Sequence, residues 1–93
     1  MRITLTFLGP LRDQLGEQSL TVELPEGASY RDLLDSIAGT MQTRLADWVW
    51  DQEKRSFRRQ IVVSRNASAE LRDEAVVLAD GDELIILPPL SGG

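Results

Sequence analysis

The sequence contains no cysteine and no histidine. Their absence excludes disulfides, removes thiolate and imidazole nucleophiles, and leaves out the commonest zinc ligands. Carboxylates, lysines and serines remain, but most familiar protease, hydrolase and metalloenzyme sites cannot be assembled from these groups alone. The better hypothesis is therefore that the protein is not an enzyme, and we predict neither a bound cofactor nor a metal site.

Positive charge and long apolar runs are also scarce. The chain has 10 lysines and arginines against 15 aspartates and glutamates, a formal net charge of −5. This balance argues against nucleic acid as a partner, because phosphate binding needs clustered basic side chains. Residues 1–6 alternate apolar and polar side chains and do not form the apolar run of a signal peptide or membrane span. We predict a cytoplasmic protein without membrane contact and, from the length, a single domain over residues 1–93.

Two stretches near the N-terminus alternate apolar and polar residues, as strands with one buried face do. Their apolar positions are Ile3, Leu5 and Phe7 in the first stretch and Leu20, Val22 and Leu24 in the second. Leu8 breaks the alternation, so its side chain is expected to point away from the face that buries Phe7. Between these strands, Leu11 and Leu15 are spaced for a short helix that Gly16 closes.

A main helix is predicted to follow the second strand. Ser29 is a good N-cap, and Asp32 lies three residues on, in a variant of the capping box. The apolar residues that repeat at helical spacing are Tyr30, Leu33, Leu34 and Ile37. Gly39 is expected to end the helix in a left-handed conformation.

The segment 40–60 predicts a short second helix and then a polar loop over residues 51–56. The residues that fit one helical face are Met41, Leu45, Trp48 and Val49. Trp48 and Trp50 cannot share such a face, so we expect one to be core and the other to be partly exposed. The only basic run is Lys54, Arg55, Arg58 and Arg59, interpreted as a solvated loop with a contact to an acidic partner or a phosphate as the alternative.

The remaining pattern predicts the sheet. Residues 61–63 are β-branched and consecutive, as in a strand buried on both sides, with a turn near Asn66. Residues 75–78 form a short strand or a covering segment, and Asp80 with Gly81 predicts a turn. Residues 84–87 are apolar at every position, which indicates a central strand. This order predicts an α+β domain of the β-grasp class: a mixed sheet of four to five strands, covered on one face by one main helix, with the first and last strands parallel at its centre.

The end of the chain has a composition suited to covalent activation. After the last strand come Pro88, Pro89, Leu90, Ser91, Gly92 and Gly93, which we expect to form a flexible tail over residues 88–93. A carboxylate can attack the α-phosphate of ATP to give an acyl-adenylate, which a sulfur donor converts to a thiocarboxylate. Two terminal glycines allow bare backbone to enter a narrow active-site channel. The two prolines stiffen the base of the tail, so less conformational entropy is lost on insertion.

The motif ADGDEL at residues 79–84, followed by LPPLSGG at residues 87–93, resembles the ThiS/MoaD family of ubiquitin-like sulfur-carrier proteins, which includes the small subunit of molybdopterin synthase. A weaker likeness lies in FLGPLRDQLG at residues 7–16. Membership implies that an activating enzyme of the MoeB/ThiF type uses ATP to adenylate Gly93. It also implies that the resulting thiocarboxylate donates sulfur to a synthase subunit or other biosynthetic acceptor, with molybdopterin synthesis favoured.

The resemblance also assigns roles around the tail. It implies that Leu8 and Leu87 contact the partner and, with Pro88 and Pro89, form its interface. Leu90, Ser91 and Gly92 would then thread into the partner. The alternative for Leu8 and Leu87 is ordinary core beneath the segment 40–60.

Three other functions remain open at this point. A carrier for cysteine or for sulfur-containing secondary metabolites would end in the same way. A ubiquitin-like modifier joined to lysines would use the same adenylate. A plain β-grasp interaction module would carry the tail without using it.

Overall fold

A computed structural model describes residues 1–16 and 18–88. Among these residues, no helix is long and apolar enough to cross a membrane. A 3₁₀ turn covers Gln42–Arg44, and the regular elements are β1 (Arg2–Phe7), α1 (Pro10–Leu15), β2 (Ser19–Glu23), α2 (Tyr30–Thr40), β3 (Trp50–Asp51), β4 (Ser56–Phe57), β5 (Val62–Arg65), β6 (Ala69–Glu70) and β7 (Glu83–Leu87).

The main sheet has the strand order β2-β1-β7-β5-β6. Strands β1 and β7 are parallel, whereas the pairs β1 with β2, β5 with β7, and β5 with β6 are antiparallel. Strands β3 and β4 form a separate hairpin. The predicted β-grasp architecture is confirmed, including the parallel pair formed by the first and last strands at the centre of the sheet.

The core lies between this sheet and α2. Leu5 pairs with Leu84, and Phe7 pairs with Ile86, and all four side chains are buried. The face of α2 that repeats at helical spacing packs into the same core: its buried residues are Tyr30, Leu33, Leu34, Ile37 and Ala38. α2 covers only one face of the sheet, and among residues 1–16 and 18–88 no helix covers the opposite face, which we call the open face. The prediction that residues 61–63 are buried on both sides is wrong in this respect, since Val62 is only half-buried.

The predicted start of α2 is confirmed, but the predicted end is wrong. Asp32 N–H donates to Ser29 Oγ at 3.2 Å, and Ser29 N–H donates to Asp32 Oδ2 at 2.9 Å, which completes a capping box. The helix runs past Gly39 to Thr40, and Met41 N–H donates to Ile37 O at 2.9 Å. Met41 is buried against the core, which favours continuing the helix to Thr40 over ending it at Gly39.

Gly39 therefore lies within the last turn of the helix, where a glycine in helical conformation is unfavourable. It does not adopt a positive φ, and a Cβ at this position would meet no atom within 4 Å. Gly39→Ala is expected to stabilise the protein by about 0.5–1 kcal/mol in urea unfolding, because alanine loses less backbone entropy in a helix. Gly81→Ala is the matched control: its Cβ would also be unhindered, but its φ is +88°. That control should destabilise the protein, and equal effects of the two substitutions would contradict the explanation.

The predicted second helix in the segment 40–60 is wrong. Only the 3₁₀ turn forms, and the chain then leads into the β3–β4 hairpin. Trp50 decides this outcome: its ring is buried, stacks edge-on against Phe57 at 5.2 Å between centroids, and donates from Nε1 to Gln42 Oε1 at 3.2 Å. Trp48 remains 37% exposed, so the prediction that one tryptophan is core and one partly exposed is confirmed.

The polar loop predicted after Trp50 is the turn of this hairpin. Asp51 Oδ1 accepts hydrogen bonds from Glu53 N–H at 2.9 Å and Lys54 N–H at 3.0 Å. The pKa of Asp51 lies below its ordinary value, and the hydrogen bond from the Lys54 backbone N–H is the largest cause. The carboxylate therefore acts as a local cap for the turn.

Candidate functional site

The open face of the sheet becomes more apolar toward the end of β7. Val62 pairs with Leu87, and Leu8 N–H donates to Ile86 O at 3.1 Å, which extends the parallel ladder by one residue beyond β1. Leu8, Leu87 and Val62 therefore lie side by side across three neighbouring strands, and we refer to these three residues as the apolar row. Leu8 is 37% exposed, and the other two side chains are half-buried.

The rows that follow along the open face are progressively more polar. Ile85 is flanked by Thr6 on β1 and Ser64 on β5. One further step from the apolar row, Thr4 pairs with Glu83, whose Oε2 accepts a hydrogen bond from Thr6 Oγ1 at 2.8 Å. The apolar surface is thus confined to the end of the sheet at which the tail leaves β7. A partner that binds the tail would therefore also contact this apolar surface.

Leu8 and Leu87 thus occupy adjacent positions, as the resemblance implied, and Leu8 points away from the face that buries Phe7. They lie on the side of the sheet opposite α2, so they do not belong to the core against the helix. Val62 and Ile85 join them, although neither was singled out in the sequence. The sequence nevertheless indicated that they would be exposed to a partner. Both belong to strands that are apolar at consecutive positions, and a single helix can cover only one face of such strands.

The structure shows where the tail begins. Pro88 follows β7 directly and is half-buried. Its Cγ lies 3.8 Å from the position that a Cβ on Gly9 would occupy, an ordinary contact distance. Gly9 has a φ of +60°, so backbone conformation rather than lack of space favours glycine there. The remaining predicted tail residues, Pro89, Leu90, Ser91, Gly92 and Gly93, lie outside the described residues.

A buried carboxylate fixes the start of β7. Asp82 is 6% exposed, and its Oδ2 accepts from Arg65 Nη2 at 2.8 Å and from Ala79 N–H at 2.9 Å. Its Oδ1 accepts from Asn66 Nδ2 at 3.0 Å. Burial alone would raise the pKa of Asp82, but the hydrogen bonds from Ala79, Asn66 and Arg65 outweigh it, and the pKa lies below its ordinary value.

The sequence analysis assigned the turn before β7 to Asp80 and Gly81, and it named Asp82 only as part of the ADGDEL motif, without a structural role. The structure confirms a turn there: Gly81 has a φ of +88°, and Asp80 Oδ1 accepts from Arg2 N–H at 2.7 Å. The second aspartate of the Asp-Gly-Asp motif was the available signal. An acidic residue directly before a buried strand needs polar partners, and Arg65 and Asn66 precede it at the end of another predicted strand.

The basic run lies on the other side of the sheet from the apolar row. Three of its four residues, Lys54, Arg58 and Arg59, line a groove of about 410 Å³ between α2 and the segments around β4 and β5. Arg55 Nε is 3.5 Å from Asp35 Oδ1, and Arg58 Nη1 is 3.4 Å from Asp51 Oδ2. Two of the four basic side chains of this run therefore form ion pairs with carboxylates of the same chain. This agrees with the interpretation of the run as a solvated loop.

Comparison with known proteins gives consistent results for the whole chain. A family model described as the ThiS family matches residues 5–93. A molybdopterin synthase sulfur carrier subunit from Chlamydomonas reinhardtii is 32% identical over 93 residues, covering 100% of both chains. One of the same name from Aedes aegypti is 30% identical over 95 residues, covering 100% of this chain and 90% of the relative. The crystal structure of SAMP1 from Haloferax volcanii superimposes with a TM-score of 0.79 at 26% identity, covering 100% of both chains.

Proposed function

Because the chain belongs to the ThiS family, we propose that its Gly93 carboxylate is adenylated and then converted to a thiocarboxylate that supplies sulfur for molybdopterin synthesis. The family predicted from the terminal motifs is confirmed, and so is the role of a sulfur carrier. A carrier of this kind is a protein co-substrate and not an enzyme. The choice of molybdopterin synthesis follows the two relatives that are named for it.

The proposed chemistry needs no catalytic side chain from this chain. A carboxylate oxygen of Gly93 attacks the α-phosphorus of ATP, and the bond to pyrophosphate breaks to leave an acyl-adenylate. A hydrosulfide equivalent from a sulfur donor then attacks the carbonyl carbon, and AMP leaves with its bonding electron pair. The product is the thiocarboxylate. ATP is bound by the activating enzyme, so the carrier itself needs no cofactor.

The observation that supports this proposal most directly is the position of the apolar row. Leu8, Leu87 and Val62 form an apolar surface where the tail leaves the sheet, while the far end of the same face is polar. An enzyme that encloses the tail would cover this surface and gain binding energy from it. We assign the surface to two successive partners, an activating enzyme of the MoeB/ThiF type and a sulfur-accepting synthase subunit.

The tail residues complete this proposal. Leu90, Ser91 and Gly92 would thread into the partner, with Pro88 and Pro89 holding the base of the tail against the partner interface. Residues 1–93 would act as one carrier domain, with residues 88–93 as its flexible tail. A cytoplasmic location is part of the proposal, because adenylation consumes ATP.

Intact-mass spectrometry tests the central step. After incubation with the activating enzyme, ATP and a sulfur source, the protein should gain about 16 Da as sulfur replaces oxygen at the acyl carbon. A variant lacking Gly93 is the control and should keep its mass. An unchanged mass of the full chain would refute the carrier chemistry. Conjugates with other proteins that also require Gly93, without the 16 Da gain, would favour a ubiquitin-like modifier.

A second measurement tests the pathway. Thiocarboxylated protein should lose the added mass when mixed with the large subunit of molybdopterin synthase and the pterin precursor. It should keep that mass with a cysteine-forming or secondary-metabolite acceptor enzyme. The reverse pattern would leave the carrier chemistry intact and would assign the protein to another pathway.

A further inference from the structure

One groove carries an excess of positive charge, although the chain as a whole has a net charge of −5. It is the groove of about 410 Å³ between α2 and the segments around β4 and β5, which we call the basic groove. Its charged lining consists of four cations and two carboxylates: Lys54, Arg58, Arg59, Arg72, Asp51 and Glu74. The other carboxylates on residues 47–59 and 70–74 lie outside this lining: Asp47, Glu53, Glu70 and Asp73. The field within the groove therefore favours a negatively charged occupant.

Ion pairs neutralise most of these charges within the chain. Three pairs involve the lining, with N–O distances of 3.4, 3.2 and 2.5 Å: Arg58 with Asp51, Arg31 with Glu74, and Arg72 with Glu70. Both lining carboxylates are thus paired. Among residues 1–16 and 18–88, the side chains of Lys54 and Arg59 have no ion pair and no hydrogen bond, and both are exposed. These two side chains supply the positive charge that the basic groove offers to a ligand.

The basic groove also holds a hydroxyl group without a partner. Tyr30 lines the groove and is only 5% exposed, and its Oη makes no hydrogen bond to any residue that the structure describes. Each fully buried side-chain nitrogen or oxygen in that part of the chain has a partner, so this Oη must reach solvent. Burial and, to a smaller extent, the Glu74 carboxylate raise the pKa of Tyr30. The hydroxyl therefore stays protonated at neutral pH and can donate to a ligand.

The spacing of the two unpaired cations indicates the shape of the ligand. Lys54 and Arg59 lie before and after β4. A strand rises about 3.3 Å per residue, so β4 and its neighbours separate the backbones of these two residues by roughly 10 Å. The floor of the groove is lined by apolar side chains: Leu34, Phe57, Ile61, Val63 and Leu71. Two carboxylates with an apolar side chain between them match this arrangement better than one compact phosphate does. Two unpaired cations are also too few for nucleic acid in an acidic chain.

We propose that the basic groove binds an extended acidic segment of a partner polypeptide. Two carboxylates of that segment, four residues apart, pair with Lys54 and Arg59, and the apolar side chain midway between them packs on the floor. These three side chains face the groove together, because alternate side chains of an extended segment lie on one side. The Tyr30 hydroxyl donates to an oxygen of the segment. The groove lies on the α2 side of the sheet, so its occupant leaves the apolar row free, and the inference does not depend on sulfur transfer.

The probe is a capped peptide of sequence Glu-Thr-Leu-Thr-Glu, titrated into the full chain while amide resonances are recorded. Binding should shift the amide signals of Lys54, Phe57 and Arg59. Lys54→Gln and Arg59→Gln should each weaken binding about threefold, as expected for exposed charge pairs, and the double variant should weaken it further. The same peptide with glutamine in place of both glutamates should bind several-fold more weakly, and a version with two lysines should not bind detectably.

Tyr30→Phe tests the hydroxyl separately, because it keeps the ring. It should weaken binding about threefold and leave urea unfolding unchanged, since it breaks no hydrogen bond within residues 1–16 and 18–88. Arg12→Gln is the matched control for the charge variants. It removes an exposed cation on α1 that does not line the groove, and it should bind the peptide as the wild type does.

Several outcomes would overturn the proposal. The glutamate peptide could cause no shifts at millimolar concentration, or its glutamine version could bind equally well. Arg12→Gln could cost as much affinity as Arg59→Gln, which would mean a general charge effect. Displacement of the peptide by inorganic phosphate at equal ionic strength would identify a small anion as the occupant. A dimer in sedimentation that Arg59→Gln dissociates would identify a second copy of the chain instead.

Discussion

Replacing Leu8 with aspartate is expected to weaken binding to the synthase subunit about a hundredfold or more, which corresponds to about 2.7 kcal/mol. Leu8 is one of the few large apolar side chains that the described residues leave substantially exposed, and it lies in the apolar row beside Leu87. In the proposed complex, a carboxylate at this position would be desolvated without a partner. The free protein should remain within about 1 kcal/mol of wild-type stability, because the side chain is already partly in water.

Thr21→Asp provides the matched control for this prediction. Thr21 is exposed on the same open face but lies on β2, beside Thr4 and away from the apolar row. The Thr21→Asp substitution introduces the same charge as Leu8→Asp on the same face of the sheet. Calorimetric titration with the synthase subunit should therefore show a large loss for Leu8→Asp and a small change for Thr21→Asp. Equal losses would indicate a general charge effect, and no loss in either variant would remove the apolar row from the interface.

The orientation of the Leu8 side chain, away from the face that buries Phe7, could be predicted from sequence because a strand has a strict period of two. Once Ile3, Leu5 and Phe7 were assigned to the buried face, the next residue had to point to the other side. The capping box of α2 was equally predictable, since Ser29 and Asp32 interact within one turn. Local geometry decides both features, and no knowledge of distant residues is required.

The prediction of a second helix in the segment 40–60 was wrong because the structure there depends on packing against distant residues. The spacing of Leu45, Trp48 and Val49 fits a helix, but tertiary packing overrides such a pattern when a larger side chain competes for the core. Trp50 is buried, and it reaches that position only if the chain leaves helical geometry and pairs with Phe57. The sequence alone does not show which of two tryptophans the core will accept.

Gly39 and Asp82 show the same limit at single residues. A glycine after a run of apolar residues at helical spacing predicts the end of a helix, but α2 continues to Thr40 because Met41 is buried in the core. The role of Asp82 depends on Arg65 and Asn66, which lie 17 and 16 residues away along the chain. Only the antiparallel pairing of β5 with β7 brings these side chains together.

Asp82→Asn is expected to destabilise the fold by about 2–3 kcal/mol, because asparagine cannot accept all the hydrogen bonds that the carboxylate receives. In either orientation its NH2 group would face a donor: Asn66 Nδ2 at one oxygen position, or Arg65 and the Ala79 N–H at the other. Arg65 retains some solvent access, which keeps the loss below that of a fully buried ion pair. Urea unfolding at neutral pH measures the difference. Asp80→Asn is the matched control in the same turn, and it should cost less than about 1 kcal/mol, since its single acceptor oxygen is retained.

The pH dependence of this difference separates the loss of charge from a loss of shape. The pKa of Asp82 is lower in the folded protein than in the unfolded chain, where it is about 4. Its ionised form therefore stabilises the fold at every pH above the unfolded value, and this contribution is lost as the pH falls through the folded value. The difference between wild type and Asp82→Asn should stay constant from about pH 5 to pH 8 and shrink below about pH 4. A difference that persisted undiminished in acid would mean that packing, and not the ionised carboxylate, holds the start of β7 in place.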